Sequence, residues 1–231
     1  MELPIEAVMR GDVRVLRFDY ARSGAVSRDA LAAIITAEDS AAVRRFALPE
    51  LRDRALLRRA FVRVALGKEL SLAAHEVPLV KGRRGKPEVA GHPHLFVSLS
   101  HTDDTVLLAL RRGDDRTAGV GVDIERVAAE IDPELLAPSV LHPEERRALA
   151  HLRGDARKRA FLRVWCRKEA ALKVTGIGLL DDLTSLSVLR DQVDLGACTD
   201  PRVTPDDARR VRIADLALDH EHVAALATEV T

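Results

Sequence analysis

Gly119-Val120-Gly121-Val122-Asp123-Ile124-Glu125 is the stretch around which the chain is ordered. Read as a strand, it alternates. Val120, Val122 and Ile124 fall on one face; Gly121, Asp123 and Glu125 fall on the other. Two carboxylates therefore share a face, backed by an apolar face that fixes them. Such a pair repels itself unless a cation lies between. Hard oxygen ligands on a rigid element suit Mg²⁺, which keeps several waters and also takes phosphate oxygens. The adjacent glycine leaves room for something large to approach the backbone. The stretch reads as a holder for a metal–phosphate group. An ordinary half-buried strand with a polar outer face is the alternative.

A second stretch, Trp165-Cys166-Arg167-Lys168-Glu169-Ala170-Ala171-Leu172-Lys173, belongs to a helix predicted over about 155–174. Trp165, Glu169 and Lys173 are spaced by four and share a face. An acid between a lysine and an aromatic, near a helix end, suits a general base whose pKa is set by the neighbouring cation and any metal. A surface Glu–Lys pair beside a buried Trp is the alternative. Taken together, Asp123, Glu125 and Glu169 make a three-carboxylate Mg²⁺ site, with Lys168 and Lys173 placed for phosphate charge. Ile124 cannot ligate, so the third ligand is Glu169, Glu145 or water.

The helix around residue 163 has a counterpart one hundred positions earlier. Arg58-Arg59-Ala60-Phe61-Val62-Arg63-Val64 matches Lys158-Arg159-Ala160-Phe161-Leu162-Arg163-Val164, and the register continues to Lys68-Glu69 and Lys168-Glu169. Each copy sits in an Arg-rich helix with strands further on. The fold expected is α+β, with two similar α/β lobes and the ligand in the cleft between them. The division expected is 1–112 for the N-terminal lobe and 113–231 for the C-terminal lobe.

Local signals fill in the lobes. Residues 12–18 read as an opening strand. Thr36 caps a helix running on through Phe46, and Pro49 opens another to about Leu66 with arginines on two sides. Residues 81–87 form a basic glycine-rich turn, and 95–99 and 106–110 pair as strands across a turn. The likeliest boundary turn is 111–115. Residues 133–138 are a short connection, and His142-Pro143-Glu144-Glu145 opens a helix with acids in its first turn. A strand is expected at 183–189 and a closing hairpin at 211–218 and 222–228.

The 231 residues are 47% hydrophobic and 31% charged, enough apolar material for a core and no mark of disorder. Aromatics are 3%, so the core is mainly Leu, Val and Ala. No run is long enough to span a bilayer, and the start lacks the pattern of a secretory signal. Cys166 and Cys198 have no metal or disulfide-framework spacing. A cytoplasmic enzyme fits. Net charge is zero, which argues against a general nucleic-acid binder. Residues 1–113 hold 19 basic and 14 acidic residues; the rest hold 17 and 22. The first half can attract an anion and the second can hold a cation.

Two other chemistries are excluded. Ser100, His101 and Asp103 are too close in sequence to form a triad easily, and no Gly-x-Ser-x-Gly turn is present. His92-Pro93-His94 and His220-Glu221-His222 lack the further ligands of a zinc site.

The two central stretches together resemble the signature pair of the 4′-phosphopantetheinyl transferase superfamily. Gly85-Lys86-Pro87, Ser98-Leu99-Ser100-His101 and Gly176-Ile177-Gly178-Leu179 resemble further motifs of its longer, Sfp-type, pseudo-dimeric subgroup. The matches come in family order from about residue 36 to residue 188. The resemblance implies transfer of 4′-phosphopantetheine from coenzyme A to a serine of an apo acyl, polyketide or peptidyl carrier protein, releasing 3′,5′-ADP. It implies Mg²⁺ on Asp123, Glu125 and Glu169, Glu169 as base, and Lys173 at the leaving group. Lys86, Ser100 and His101 would contact the nucleotide, and Glu145 stands where the family often has a further acid. The family's early lysines for the 3′-phosphate are missing over Asp39–Val43; Arg44, Arg45 and Arg54 are the cations at hand. A monomer serving secondary metabolism is implied by analogy alone. A non-catalytic coenzyme A sensor and a Mg²⁺-dependent coenzyme A phosphohydrolase are the alternatives.

Overall fold

The computed structural model describes residues 5–22, 28–113, 118–178 and 182–230. In chain order the elements are β1 (Ile5–Arg10), β2 (Val13–Asp19), α1 (Arg28–Ala32), α2 (Ala37–Val43), α3 (Pro49–Leu70), β3 (Leu79–Lys81), β4 (Pro87–Val89), β5 (Leu95–His101), β6 (Thr105–Arg112), β7 (Val120–Arg126), α4 (Pro133–Val140), α5 (Pro143–Leu149), α6 (Gly154–Val174), β8 (Gln192–Asp194), β9 (Arg210–Leu216) and β10 (His222–Val230). None of these helices is long and apolar enough to cross a membrane.

The strands form two four-stranded antiparallel sheets, ordered β1-β2-β6-β5 and β7-β10-β9-β8, and a β3-β4 ribbon. The duplication is visible in this order. In each sheet the strand before the long helix (β2 or β7) pairs with the last strand, and that with the one before it. Two short helices precede each long one. The architecture is α+β with two similar lobes.

Three apolar clusters stack the layers. Phe61, Ala65 and Leu66 of α3 pack on Phe18, Val97 and Leu108 of the first sheet, with Phe18 and Phe61 stacked at 5.4 Å. The opposite face of that sheet, through Val15 and Leu107, meets Val120, Val122 and Ile124 of β7. On the far face of the second sheet lie Phe161, Leu162 and Leu172 of α6. The order is helix, sheet, sheet, helix. The apolar face of β7 thus lies between the two sheets, and full burial of each of its valines and its isoleucine contributes roughly 1.5–3 kcal/mol.

Local chemistry explains the boundaries. Thr36 and Asp39 form a reciprocal capping box at the start of α2, which ends at Val43 rather than at Phe46. Pro49 opens α3, which runs past Gly67 to Leu70 and stops at Ser71 in a left-handed conformation. Its rows do not divide into polar and apolar because Arg63 is itself buried, donating to Asp39 and to the Val77 carbonyl.

Three expectations are corrected. β2 has a partner, β1, that the sequence reading left out. Residues 133–138 are no connection but the start of α4, capped by Asp132 and containing Pro138. Residues 183–189 form no strand, because side chains take up their backbone groups. Lys168 bonds the Leu183 carbonyl, Arg167 the Val188 carbonyl, and Glu145 the Val188 amide. The boundary turn at 111–115 runs partly into residues outside those described.

The lobes are also joined by charge. His222 of β10 is buried with Nδ1 2.9 Å from Asp219 and Nε2 3.0 Å from Asp104 of the β5–β6 turn. Arg17 of β2 joins Asp219 at 2.7 Å, and Arg126 of β7 faces Asp104 at 3.3 Å. Burial by itself would raise the Asp219 carboxyl; the hydrogen bonds from His222 and Arg17 win and bring it down to about 2. Asp104 is lowered in the same way. Carboxylates depressed on folding stabilise above their ordinary value and lose that contribution as pH falls through the folded one. Urea unfolding is therefore expected to weaken steeply between about pH 4 and pH 2, and Asp219→Asn should flatten that slope while lowering stability at neutral pH.

Candidate active site

The site begins with a close approach of two backbones. Gly121 of β7 lies under α6 so tightly that a Cβ there would overlap the carbonyl oxygen of Ala170 and stand 3.0 Å from the Val174 amide nitrogen. The large group that approaches this glycine is the helix itself, not a ligand. Asp123 and Glu125, two and four residues on, therefore face the same helix as Glu169 and Lys173. Both faces of β7 are covered, and Asp123 and Glu169 are buried.

Three carboxylates in one apolar setting raise each other's cost. Burial, then the negative charge of Asp123, push Glu169 up to about 7, against the pull of Lys173. Glu125 is pushed up to about 7 by the same two causes, opposed by Lys173 and by the Trp165 indole. Lys173 Nζ lies 2.6 Å from Asp123 Oδ1 and 3.1 Å from Ser100 Oγ, and Ser100 itself donates to Asp123 Oδ1 at 2.8 Å. Asp123 Oδ2 and Glu169 Oε1 are buried with no hydrogen-bond partner.

These features fit a hard divalent cation. The donors are all carboxylate oxygens, two of them are orphaned, and two of the acids have pKa values pushed up to about 7 by burial and then by the charge of Asp123. As the side chains stand, no three acid, histidine or cysteine groups among the described residues converge on one ligating point. Lys173 supplies the positive charge against Asp123.

Glu125 lines a cavity of about 530 Å³, and His101, which lines it too, also borders a groove of about 730 Å³, within the range of small-molecule sites. Arg58, Arg59 and Arg63 of α3 line it with Lys81, His101 and Asp39. Arg59 bonds Asp39 at 2.8 Å, and Arg63 bonds it as well. A smaller cavity of about 240 Å³ adjoins it, walled by Tyr20, Phe46 and Leu51 and edged by Arg45, Arg54 and Arg58. His101 and Arg58 border both.

The candidates named from sequence divide accordingly. Asp123, Glu125, Glu169 and Lys173 are brought together. His101, Arg45 and Arg54 face cavities, Arg54 with Asp103 3.8 Å away. Arg44 is exposed and lines neither cavity. Four candidates are corrected. Lys168 is fully buried on the other side of α6, 2.7 Å from Glu145 and bonded to the Val140 and Leu183 carbonyls. Glu145 is equally buried, accepting the His142 and Val188 amides, so neither reaches the acid cluster. Ser100 is spent on Asp123. Lys86 Nζ donates to the Val120, Lys173 and Val174 carbonyls at 2.7 to 3.0 Å instead of pointing into the groove. Leu179 of the Gly-x-Gly-Leu motif lies outside the described residues.

Sequence reasoning missed Arg58, Arg59 and Lys81 as groove residues. The arginine-rich helix was visible, but its mixed rows gave no way to tell which arginines turn inward. The indole of Trp165 beside Glu125 was also missed, although the spacing of four from Glu169 pointed at that face.

Comparison with known proteins follows the same lines. A family model described as the 4′-phosphopantetheinyl transferase superfamily matches residues 119–227. The 4′-phosphopantetheinyl transferase HetI of Nostoc sp. is 32% identical over 152 residues, covering 64% of this chain and 62% of that protein. The 4′-phosphopantetheinyl transferase AcpT of Salmonella typhi is 33% identical over 141 residues, covering 56% and 71%. The phosphopantetheinyl transferase of Thraustochytrium sp. is 29% identical over 216 residues, covering 88% and 73%. The matches to HetI and to a Synechocystis relative each span 62% of the relative's length.

The buried Lys168–Glu145 pair yields a stability test. Removing either partner strands the other charge, so Lys168→Met or Glu145→Gln alone is expected to cost about 3–5 kcal/mol in urea unfolding. Joint replacement by Met and Leu should cost less than the sum of the two.

Proposed function

Because the chain belongs to the 4′-phosphopantetheinyl transferase superfamily, we propose that it transfers 4′-phosphopantetheine from coenzyme A to a serine of an apo carrier protein. The observation that carries this reading is the meeting of Asp123, Glu125, Glu169 and Lys173, with Glu125 lining a cavity of about 530 Å³ whose His101 also borders the cation-lined groove. In the proposed division of labour, the N-terminal lobe, residues 1–112, supplies the groove for the nucleotide. The C-terminal lobe, 113–231, supplies the acids.

The reaction needs a base, a place for phosphate charge and an ordered donor. Glu169, with its pKa near 7, is matched to taking a proton at neutral pH. It takes the proton of the carrier serine as the serine oxygen attacks the β-phosphorus of coenzyme A. The bond to 3′,5′-ADP breaks, and the leaving oxygen gathers charge beside Lys173. Mg²⁺, held by Asp123, Glu125 and Glu169, would stabilise the diphosphate charge as a Lewis acid. Arg58, Arg59, Lys81 and His101 bind the nucleotide end by charge and by hydrogen bonds, in place of the missing early lysines. Arg45 and Arg54 border the adjoining cavity. Ser100 keeps Asp123 and Lys173 in register rather than touching the donor.

Intact mass after incubation with coenzyme A, Mg²⁺ and an apo carrier domain tests the proposal. A phosphopantetheine adduct on the carrier is expected. Binding without transfer would replace the reading by a sensor; release of 3′,5′-ADP without a carrier would replace it by a phosphohydrolase. Asp123→Ala and Glu169→Gln should each lower kcat/KM by about 10²–10⁴-fold, the usual worth of a positioned acid–base group. Glu69→Gln should stay within about two-fold of wild type, since the counterpart of Glu169 is engaged with Arg14 and Arg112 and meets no Asp-x-Glu strand.

A further inference from the structure

The turn between β3 and β4 belongs by sequence to the N-terminal lobe, yet it is fastened to the other lobe at two points. One is Lys86, bonded to the carbonyls at the end of α6 and the start of β7. The other is Arg84. Its guanidinium makes a two-pronged contact with Asp207, NH1 to Oδ1 at 2.8 Å and NH2 to Oδ2 at 3.0 Å, and NH2 also reaches the Arg202 carbonyl at 3.1 Å. Asp207 is 2% exposed and lies in the segment 200–208, which joins no sheet. The Thr204 amide and hydroxyl fix its Oδ2.

The backbone at Arg84 makes the contact specific. Its φ is +59°, a left-handed conformation that costs an ordinary side chain about 1–2 kcal/mol and that glycine adopts freely. An arginine here retains that cost, and the paired oxygens of Asp207 offset it. The turn carrying Arg84 also forms a wall of the large groove. Gly85 and Pro87 line it, and the same two residues line a separate pocket of about 190 Å³ that Lys173 and Gly176 also line.

We infer that Arg84 and Asp207 are positioning residues: their latch sets the β3–β4 turn against the C-terminal lobe and so fixes the width of the groove for the donor nucleotide. The inference rests on the transferase reading for the identity of that nucleotide. The acids and Lys173 stand on β7 and α6; the Arg84–Asp207 pair makes no hydrogen bond to either, and Lys86 in the same turn keeps its own bonds to both when the pair is lost. Its loss should therefore act on donor binding and spare the chemical step.

Steady-state kinetics on the full chain, with coenzyme A, Mg²⁺ and an apo carrier, tests it. Arg84→Gly removes the side chain while suiting the backbone; Asp207→Asn removes the charge while keeping the shape. Each is expected to raise the KM for coenzyme A about ten-fold, with kcat and the carrier KM within about two-fold of wild type. The double variant should be no worse than either single one, and Arg84→Lys should recover part of the loss. Unchanged KM for coenzyme A in Arg84→Gly overturns the inference, whatever happens to its melting temperature. So does a loss confined to kcat. If the wild-type protein modifies no carrier, the transferase reading fails by itself. Calorimetric binding of coenzyme A then decides the latch: weaker binding in Arg84→Gly supports it, and equal binding overturns it.

Discussion

The contact of Gly121 with the backbone of α6 is the constraint on which the site depends. A helix normally packs on a sheet through side chains. Here one residue has none, and the helix lies flush against the strand. That closeness lets an acid on the strand and an acid on the helix feel each other's charge. A methyl group at 121 would force the helix outward and separate Asp123 from Glu169 and Lys173 without changing any of the three. Position, not composition, makes these residues a site.

Closeness also creates an electrostatic problem that the fold solves only in part. Three carboxylates meet one ammonium in a buried setting. Asp123 is served by Lys173 and Ser100. Glu125 and Glu169 are left with raised pKa values, and Glu169 keeps an orphaned oxygen. Leaving buried polar atoms unsatisfied costs about 1–3 kcal/mol each, so such atoms signal a role beyond stability. The neighbouring groove has the opposite sign, with Arg58, Arg59, Arg63 and Lys81 on its walls.

Much of this was legible in the sequence, for reasons that can be named. The alternation of 119–125 fixed which residues share a face, because a strand has a period of two. The repeat at one hundred positions announced two lobes, and the matching order of three strands in each sheet, β2-β6-β5 and β7-β10-β9, bears it out. The spacing of Glu169 and Lys173 gave a common helical face. What sequence did not carry was the partner of each long side chain. Lys168 and Glu169 are neighbours, yet they project from different faces of α6, one into a sealed ion pair and the other into the acid cluster. Lys68-Glu69 and Lys168-Glu169 look alike, but Glu69 meets arginines of its own sheet. The strand at 183–189 was misread because its alternating apolar residues do pack inward, while its amides and carbonyls are met by side chains of α5 and α6.

The misread residues share a location. Ser98, Ser100 and Lys86 all stand where the two lobes meet, and Ser100 and Lys86 look like ligand contacts in the sequence. β5 and β7 are the facing edges of different sheets, and among the described residues no backbone ladder joins them. Their junction must be made by side chains. Ser98 takes the Val122 amide at 3.0 Å, Ser100 takes Asp123, and Lys86 takes three carbonyls. A duplicated fold with its site in the cleft has to solve two problems with the same polar residues: holding the halves together and meeting the substrate. Where a polar side chain at the junction has its hydrogen bonds filled by protein, it belongs to the first problem. Arg58 and His101 stand instead at the meeting of two cavities.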